Sequence, residues 1–275
     1  MDPWIETLSV ALLALAGVFM GHKAGQLANP WWYWVLVGPV IMLTMLATAA
    51  CTTLLDGLGP LVFITAGRAR YLVLALAITL GLTTPLSRLP HLVERVVVCT
   101  LMVLFVGFFA ILPFLAPALV RNDLGHIMTR IDGNGVCFQS RSYTCGPAAA
   151  VTALARFGVS AEEGEIARLA RANPFSGTLL WTLHSALKER YSDQGLSTEF
   201  RRFNNAGELR GIGVTLVSVR EAAMLDHCVA VLDISDTEVT IADPLSGLEI
   251  LPIEYFEGKW RRCGIVVSRH RSSAM

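Results

Sequence analysis

The stretch Cys137-Phe138-Gln139-Ser140-Arg141-Ser142-Tyr143-Thr144-Cys145-Gly146-Pro147 decides the reading of this chain. A cysteine acts as a nucleophile only as its thiolate, and the first turn of a helix supplies partial positive charge and free N–H groups to such a sulfur. Val151, Leu154 and Phe157 recur at helical spacing after Cys145, so a helix is expected to open at Cys145 or Gly146 and stop at Gly158. Gly146 is read as room for a substrate against the backbone. Pro147 suits a first turn, where its missing N–H costs nothing. Gln139 stands six residues before Cys145. Its side-chain amide and the Cys145 N–H are candidates to bind the oxyanion that forms when a carbonyl is attacked.

A thiolate needs a basic partner. His227 opens an expected strand, His227-Cys228-Val229-Ala230-Val231-Leu232, and the next strand ends at Asp243 in Ile241-Ala242-Asp243-Pro244. Adjacent antiparallel strands would set His227 and Asp243 side by side, where a carboxylate holds the imidazole in its productive tautomer. Asp226 adjoins His227, but neighbouring residues of a strand point to opposite faces, so Asp243 is the better partner.

Around this constellation lies a mixed domain. Ser160 and Glu163 have the form of a capping box for a second helix through Ala170, and Ser176 is read as the cap of a third helix over 179–191. Segments 198–203, 214–219, 228–234, 238–242, 249–253 and 265–268 are rich in Val, Ile and Thr, and Ser235-Asp236 is a turn between two of them. Helices first and strands afterwards give an α+β order with mostly antiparallel strands.

Upstream the composition changes. The chain has 275 residues, 53% of them hydrophobic and 16% charged, whereas soluble domains carry roughly a quarter charged residues. Five Lys or Arg and four Asp or Glu fall in residues 1–120, against seventeen and eighteen afterwards. The expected division is therefore 1–122 as a transmembrane region and 123–275 as the folded domain. Apolar stretches at 7–20, 31–51, 71–86 and 96–120 are the four candidate spans; a crossing helix needs about 20 such residues. Trp31, Trp32, Tyr33 and Trp34 open the second, as an aromatic belt would. A soluble four-helix bundle is the competing reading, but it would show polar stripes at helical period, which these segments lack. Asp2 and Glu6 with no early Lys or Arg do not make a secretory signal. The patch 61–65 is read as re-entrant or interfacial. With the termini inside, Arg68, Arg70, Arg121 and Arg130 are cytoplasmic and Lys23, Arg88 and Arg95 are outside, which leans toward a cytoplasmic folded domain.

The balance of 22 Lys and Arg against 22 Asp and Glu gives no basic face for nucleic acid. No GxxxxGK[ST] loop is present for a nucleotide. Six scattered cysteines without a CxxC pair do not form a zinc motif. No cofactor or metal is expected. Cys137, Cys228 and Cys263 read as buried thiols, and His184 and the Trp181 and Trp260 rings as packing residues.

The region from 136 to 267 resembles the double-glycine leader peptidase family, the papain-like peptidase domain of bacteriocin-exporting ABC transporters and its stand-alone relatives. The resemblance rests on Gln139 with five residues before Cys145-Gly146-Pro147-Ala148, on Gly177-Thr178-Leu179-Leu180, and on His227-Cys228-Val229-Ala230-Val231. It continues in Ile241-Ala242-Asp243-Pro244-Leu245-Ser246-Gly247 and Phe256-Glu257-Gly258-Lys259-Trp260. It implies a papain-like fold with Cys145 as nucleophile, His227 as base, Asp243 as its orienter and Gln139 as the oxyanion residue. It further implies cleavage of a peptide or protein precursor after small residues such as Gly-Gly, beside a separate export system, in the bacterial cytoplasmic (inner) membrane. Transporter members often carry Asp where this chain has Thr144, and no ATP-binding domain accompanies these residues. The same four residues would also serve a papain-like amidase or acyltransferase; a non-catalytic peptidase-like binding module is the remaining alternative.

Overall fold

A computed structural model describes residues 3–27, 31–52, 68–222 and 225–269. The chain divides into two compact units, Met1–Ala49 with Arg68–Leu119 and Ala50–Gly67 with Val120–Met275.

The first unit is built from α1 (Pro3–Gly25), α2 (Trp31–Cys51), α3 (Ala69–Leu86), α4 (Leu92–Val106), a π-helical turn (Gly107–Ile111) and the first part of α5 (Leu112–Leu124). The π turn falls just ahead of Pro113 and Pro117, which cannot donate to the helical ladder. Four helical segments are long and apolar enough to cross a membrane: Trp4–Gly25, Trp31–Cys51, Ala69–Leu86 and Leu92–Leu124. Three of them extend beyond the apolar runs of the sequence because polar flanks such as His22 and Lys23 continue the helix. Trp4, Leu8, Leu12, Leu15 and Phe19 of α1 and Trp31, Tyr33 and Trp34 of α2 are largely exposed, which suits lipid rather than the interior of a soluble bundle. The patch 61–65 lies outside the described residues.

What joins α1 to α3 is smallness. Gly17, Gly21 and Gly25 recur every fourth residue along α1 and face Thr79, Thr83 and Thr84 of α3. A Cβ on Gly17 would stand 2.0 Å from Thr79 Oγ1, and one on Gly25 would stand 2.4 Å from the Thr84 carbonyl. Small residues let helices approach closely where lipid provides no hydrophobic drive. Arginines clamp both ends of the pair: Arg68 forms an ion pair with Glu6, and Arg88 Nε donates to the Gly25 carbonyl at 3.0 Å. Gly17→Leu is therefore expected to destabilise this pair by about 1–3 kcal/mol, read as a lower melting temperature in detergent. Gly38→Leu, where a Cβ meets nothing within 4 Å, serves as the control and should leave it unchanged.

The second unit begins with a short ribbon of β1 (Arg130–Ile131) and β2 (Cys137–Phe138), then α6 (Cys145–Arg156), α7 (Glu163–Leu169) and α8 (Leu180–Tyr191). The strands β3 (Leu196–Arg202), β4 (Val214–Ala222), β5 (Leu225–Ile234), β6 (Glu238–Asp243) and β7 (Gly247–Pro252) follow, then α9 (Ile253–Lys259) and β8 (Trp260–Arg269). The six long strands form one sheet in the order β3-β8-β4-β5-β6-β7, every pair antiparallel. Alternation along each strand splits the core in two. Leu216, Cys228, Ala230 and Ile265 pack with Ala149, Leu154, Leu183 and Leu187 of the helices. Val217, Val229, Val231 and Val266 pack with Phe203, Phe256 and Trp260. The result is an α+β domain preceded in sequence by four long apolar helices, as the residue pattern implies.

Two expected caps do not form. The second helix starts at Glu163 with Glu162 at its N-cap and no side-chain cap bond, because Glu163 is engaged elsewhere. Ser176 does not cap α8, whose N-cap is Leu179; Ser176 instead closes a turn in which its N–H donates to Asn173 Oδ1 at 3.1 Å. Trp260 is fully buried, but Trp181 is 47% exposed, so only the first is a core residue.

Candidate active site

Cys145 is the first residue of α6 and is partly exposed, while the nine residues from Gly146 to Leu154 are all buried. The run of alanines at 148, 149, 150 and 153 makes that helix slim enough to be enclosed, which fixes its N-terminus in place. Gly146 serves this packing and not an approaching substrate: a Cβ there would lie 3.1 Å from Thr178 Cγ2 and 3.3 Å from Leu183 Cδ2.

His227 is 7% exposed, and its Nε2 donates to Asp243 Oδ1 at 2.8 Å. The two are not directly opposite. The β5–β6 register pairs Ala230 with Ala242, so Asp243 lies diagonally from His227, at a separation that long side chains bridge. Cys145 is the other side chain that acts on the imidazole, through hydrogen bonding and charge. Burial alone would lower the imidazole, but the bonds to Asp243 and Cys145 and their negative charge outweigh it and lift His227 from 6.5 to about 10. For Asp243, burial works upward, yet His227 and the N–H groups of Leu245 and Ser246 hold the carboxyl below the usual carboxylate range. Asp226 turns to Arg261 at 2.9 Å, away from this pair.

Gln139 is tied on both sides. Its main-chain N–H donates to the Pro244 carbonyl at 3.0 Å, which links the nucleophile's loop to the residue after Asp243. Its Nε2 donates to the Arg141 carbonyl at 3.1 Å, leaving the second amide hydrogen for another acceptor. A cleft of about 290 Å³ lined by Arg130, Phe138, Gln139, Pro244 and Leu245 opens beside it. The structure thus brings Cys145, His227 and Asp243 together and sets Gln139 on the adjoining loop.

Cys137, Cys228 and Cys263 are buried thiols. Burial first, and then the Glu163 charge, push Cys137 up to about 12. Burial first, and then the charge of Cys145, raise Cys228 well above the ordinary thiol value. His184 bonds the Thr198 carbonyl at 3.1 Å and is a packing residue.

Sequence reasoning missed Glu163. Its carboxylate is fully buried and reaches back to the nucleophile's loop. Oε1 accepts from the Ser140 N–H at 2.8 Å and from Thr144 Oγ1 at 2.6 Å, while Oε2 accepts from Ser140 Oγ at 2.7 Å. The local pattern Ser-x-x-Glu mimicked a helix start, whereas the loop across the fold offers this carboxylate three donors.

The sequence pattern of the Peptidase C39 family matches residues 134–272, half of the chain. The chain belongs to the Peptidase C39 family. Its α+β unit is the C39 papain-like domain, as the resemblance implied. An uncharacterized protein of Methanothermobacter thermautotrophicus is 28% identical over 141 residues, covering 51% of this chain and 93% of the relative. One of Methanothermobacter marburgensis is 32% identical over 109 residues, covering 40% and 70%. Among solved structures, the peptidase domain of Streptococcus ComA, a bi-functional ABC transporter involved in a quorum sensing pathway, is similar to the C39 domain. It is 18% identical with a TM-score of 0.43, covering 53% of this chain and all of that one. A double glycine motif protease from an AMS/PCAT transporter, solved with its leader peptide, is 16% identical with a TM-score of 0.40, covering 51% and 91%.

Proposed function

We propose that this C39 chain is a membrane-anchored cysteine peptidase, with 1–122 as the anchor and 123–275 as the catalytic domain. The single observation that carries the reading is the imidazole of His227 bonded to Asp243 with Cys145 at the helix start acting on the same ring. An imidazolium beside a cysteine supplies the charge that a thiolate needs. The sulfur attacks the scissile carbonyl carbon, and the carbonyl π pair moves onto oxygen. The Cys145 N–H and the Gln139 amide receive that oxyanion. When it collapses, the C–N bond breaks and His227 passes its proton to the leaving amine. Water, giving a proton to His227, then attacks the thioester carbonyl; the C–S bond breaks, the acid product leaves, and the thiolate beside the imidazolium is restored. Asp243 keeps the ring oriented throughout.

The substrate is a peptide or protein precursor cut after small residues such as Gly-Gly, the preference that the family resemblance implies. The reading sets the protein in the cytoplasmic membrane with the catalytic domain on the cytoplasmic side, supported by four helices long and apolar enough to cross a bilayer and by the lean of arginines. Its products pass to a separate export system.

A panel of peptide aldehydes tests this reading on the full chain in detergent. Gly-Gly aldehydes are expected to block labelling of Cys145 at least about tenfold more tightly than aldehydes ending in bulky residues. Capture of cell-wall amides with no response to any peptide aldehyde would replace the peptidase reading by an amidase. Labelling of Cys145 no faster than of the other cysteines would leave only a binding module.

A further inference from the structure

We infer that Glu163 is a positioning residue that sets the oxyanion site from inside the protein; the inference rests on the peptidase reading above. The loop from Gln139 to Cys145 is a single turn closed on the Arg141 carbonyl. That oxygen accepts from the Thr144 N–H at 3.1 Å and from Gln139 Nε2 at 3.1 Å, while the Arg141 N–H donates to Thr144 Oγ1 at 3.1 Å. Whatever fixes Arg141 therefore aims the Gln139 amide, and through Thr144 it also fixes the N–H of Cys145.

The turn is tied to the domain where the Gln139 N–H donates to the Pro244 carbonyl at 3.0 Å and where the Tyr143 carbonyl accepts from Thr178 Oγ1 at 2.9 Å; Glu163 adds a buried anchor that holds Ser140 and Thr144 on either side of Arg141. Its carboxylate binds the turn at both ends, at Ser140 and at Thr144. Its own N–H is held by Thr129 Oγ1 at 2.9 Å. The next residue, Gly164, packs so closely that a Cβ there would meet the Leu124 carbonyl at 2.4 Å, so α7 cannot slide. A buried carboxylate with three donors to one loop is a rigid peg, since each bond to a charged acceptor is shorter and stronger than a neutral one. Glu163 has no route to the imidazole among the contacts described, so its effect should fall on oxyanion binding and spare the thiolate pair.

Two probes separate these effects. Alkylation by iodoacetamide needs the thiolate and no oxyanion donor. Peptide cleavage, and reversible addition of a peptide aldehyde, which builds an oxyanion on the sulfur, need both. In Glu163→Leu, kcat is expected to fall about 100-fold, the scale of losing one oxyanion donor, and aldehyde affinity is expected to fall in parallel. KM and the alkylation rate of Cys145 should stay within about threefold of wild type. Glu163→Gln should recover most of kcat, because its carbonyl accepts from Ser140 N–H and Thr144 Oγ1 while its amide donates to Ser140 Oγ. If the leucine variant does not fold, Thr144→Val, which removes one of the three bonds, is expected to lower kcat about tenfold with alkylation intact.

Loss of alkylation in step with kcat would overturn the inference, since Glu163 would then support the site as a whole. Full activity in Glu163→Leu or Thr144→Val would overturn it as well. Failure of the peptidase reading is a distinct result: the wild-type chain would alkylate at Cys145 no faster than at its other cysteines and would bind no aldehyde.

Discussion

Replacing Cys145 with alanine is expected to lower peptide cleavage by about 10⁶-fold, the loss seen when the nucleophile of a coupled triad is removed. The size follows from the absence of a substitute. Cys137 and Cys228 are buried, and their surroundings push both thiols upward, so neither offers a thiolate to a substrate. His227 would remain bonded to Asp243 but would have only water to activate. Alanine keeps the helix start, because the N-cap of α6 is Thr144 and not Cys145, and alanine is the best helix former. Folding should therefore survive, and circular dichroism of the full chain in detergent should match the wild type. Cys51→Ala removes an exposed thiol far along the chain from the site and should leave cleavage as it is. A Cys145→Ala variant that retained even about 1% of the cleavage rate would mean that the sulfur is not the nucleophile.

The second large effect is expected at Asp243. Asp243→Ala should lower kcat/KM by about 10⁴-fold, the cost of losing the residue that orients the base. The pH response makes the argument specific. In the folded chain His227 sits at about 10 against an ordinary 6.5, so its imidazolium contributes stability that is fully present below 6.5. That contribution is lost as the pH rises through about 10. Asp243 has the opposite sign: its lowered carboxyl contributes stability above the ordinary carboxylate value, lost as the pH falls through the folded one. Removing the carboxylate takes away the first of the influences that raise His227, so the alkaline limb of both activity and stability should move to lower pH. Asp243→Asn keeps an oxygen for His227 and for the Leu245 N–H, and so should lie between the two in rate while sharing the shifted limb. An unmoved pH profile with a loss below about tenfold would show that His227 is held by something else.

Much of this site could be read from the residues alone because its parts sit at the ends of regular elements. Cys145 precedes an alanine-rich helix, and His227 and Asp243 fall at the ends of strands whose Val and Ile alternation marks them. The order Gln, Cys, His, Asp then allows few arrangements. What escaped the reading was set by tertiary contact. Ser160 and Glu163 carry the local signature of a capping box, but a carboxylate chooses among all the donors that folding brings near it, and Ser140 and Thr144 lie 19 residues or more away in sequence. Gly146 looked like space for a substrate until Thr178 and Leu183 came to fill it. The glycines of α1 gave no periodic signal in an unbroken apolar run; their meaning lies in the threonines of α3, more than fifty residues on. Helix ends were also underread, since an apolar run ends at its first polar residues while the helix itself continues through His22 and Lys23.

The place of β8 in the sheet has a consequence for the order of events during synthesis. This strand, residues 260–269, lies between β3 and β4, and β3 has no other neighbour there. Ribosomes release the chain from its N-terminal end, so every apolar helix has emerged before translation reaches Trp260. Until then β3 is unpaired and the sheet that carries His227 is incomplete. The last strand made among the described residues thus completes the sheet around the candidate site only after all four apolar helices have left the ribosome.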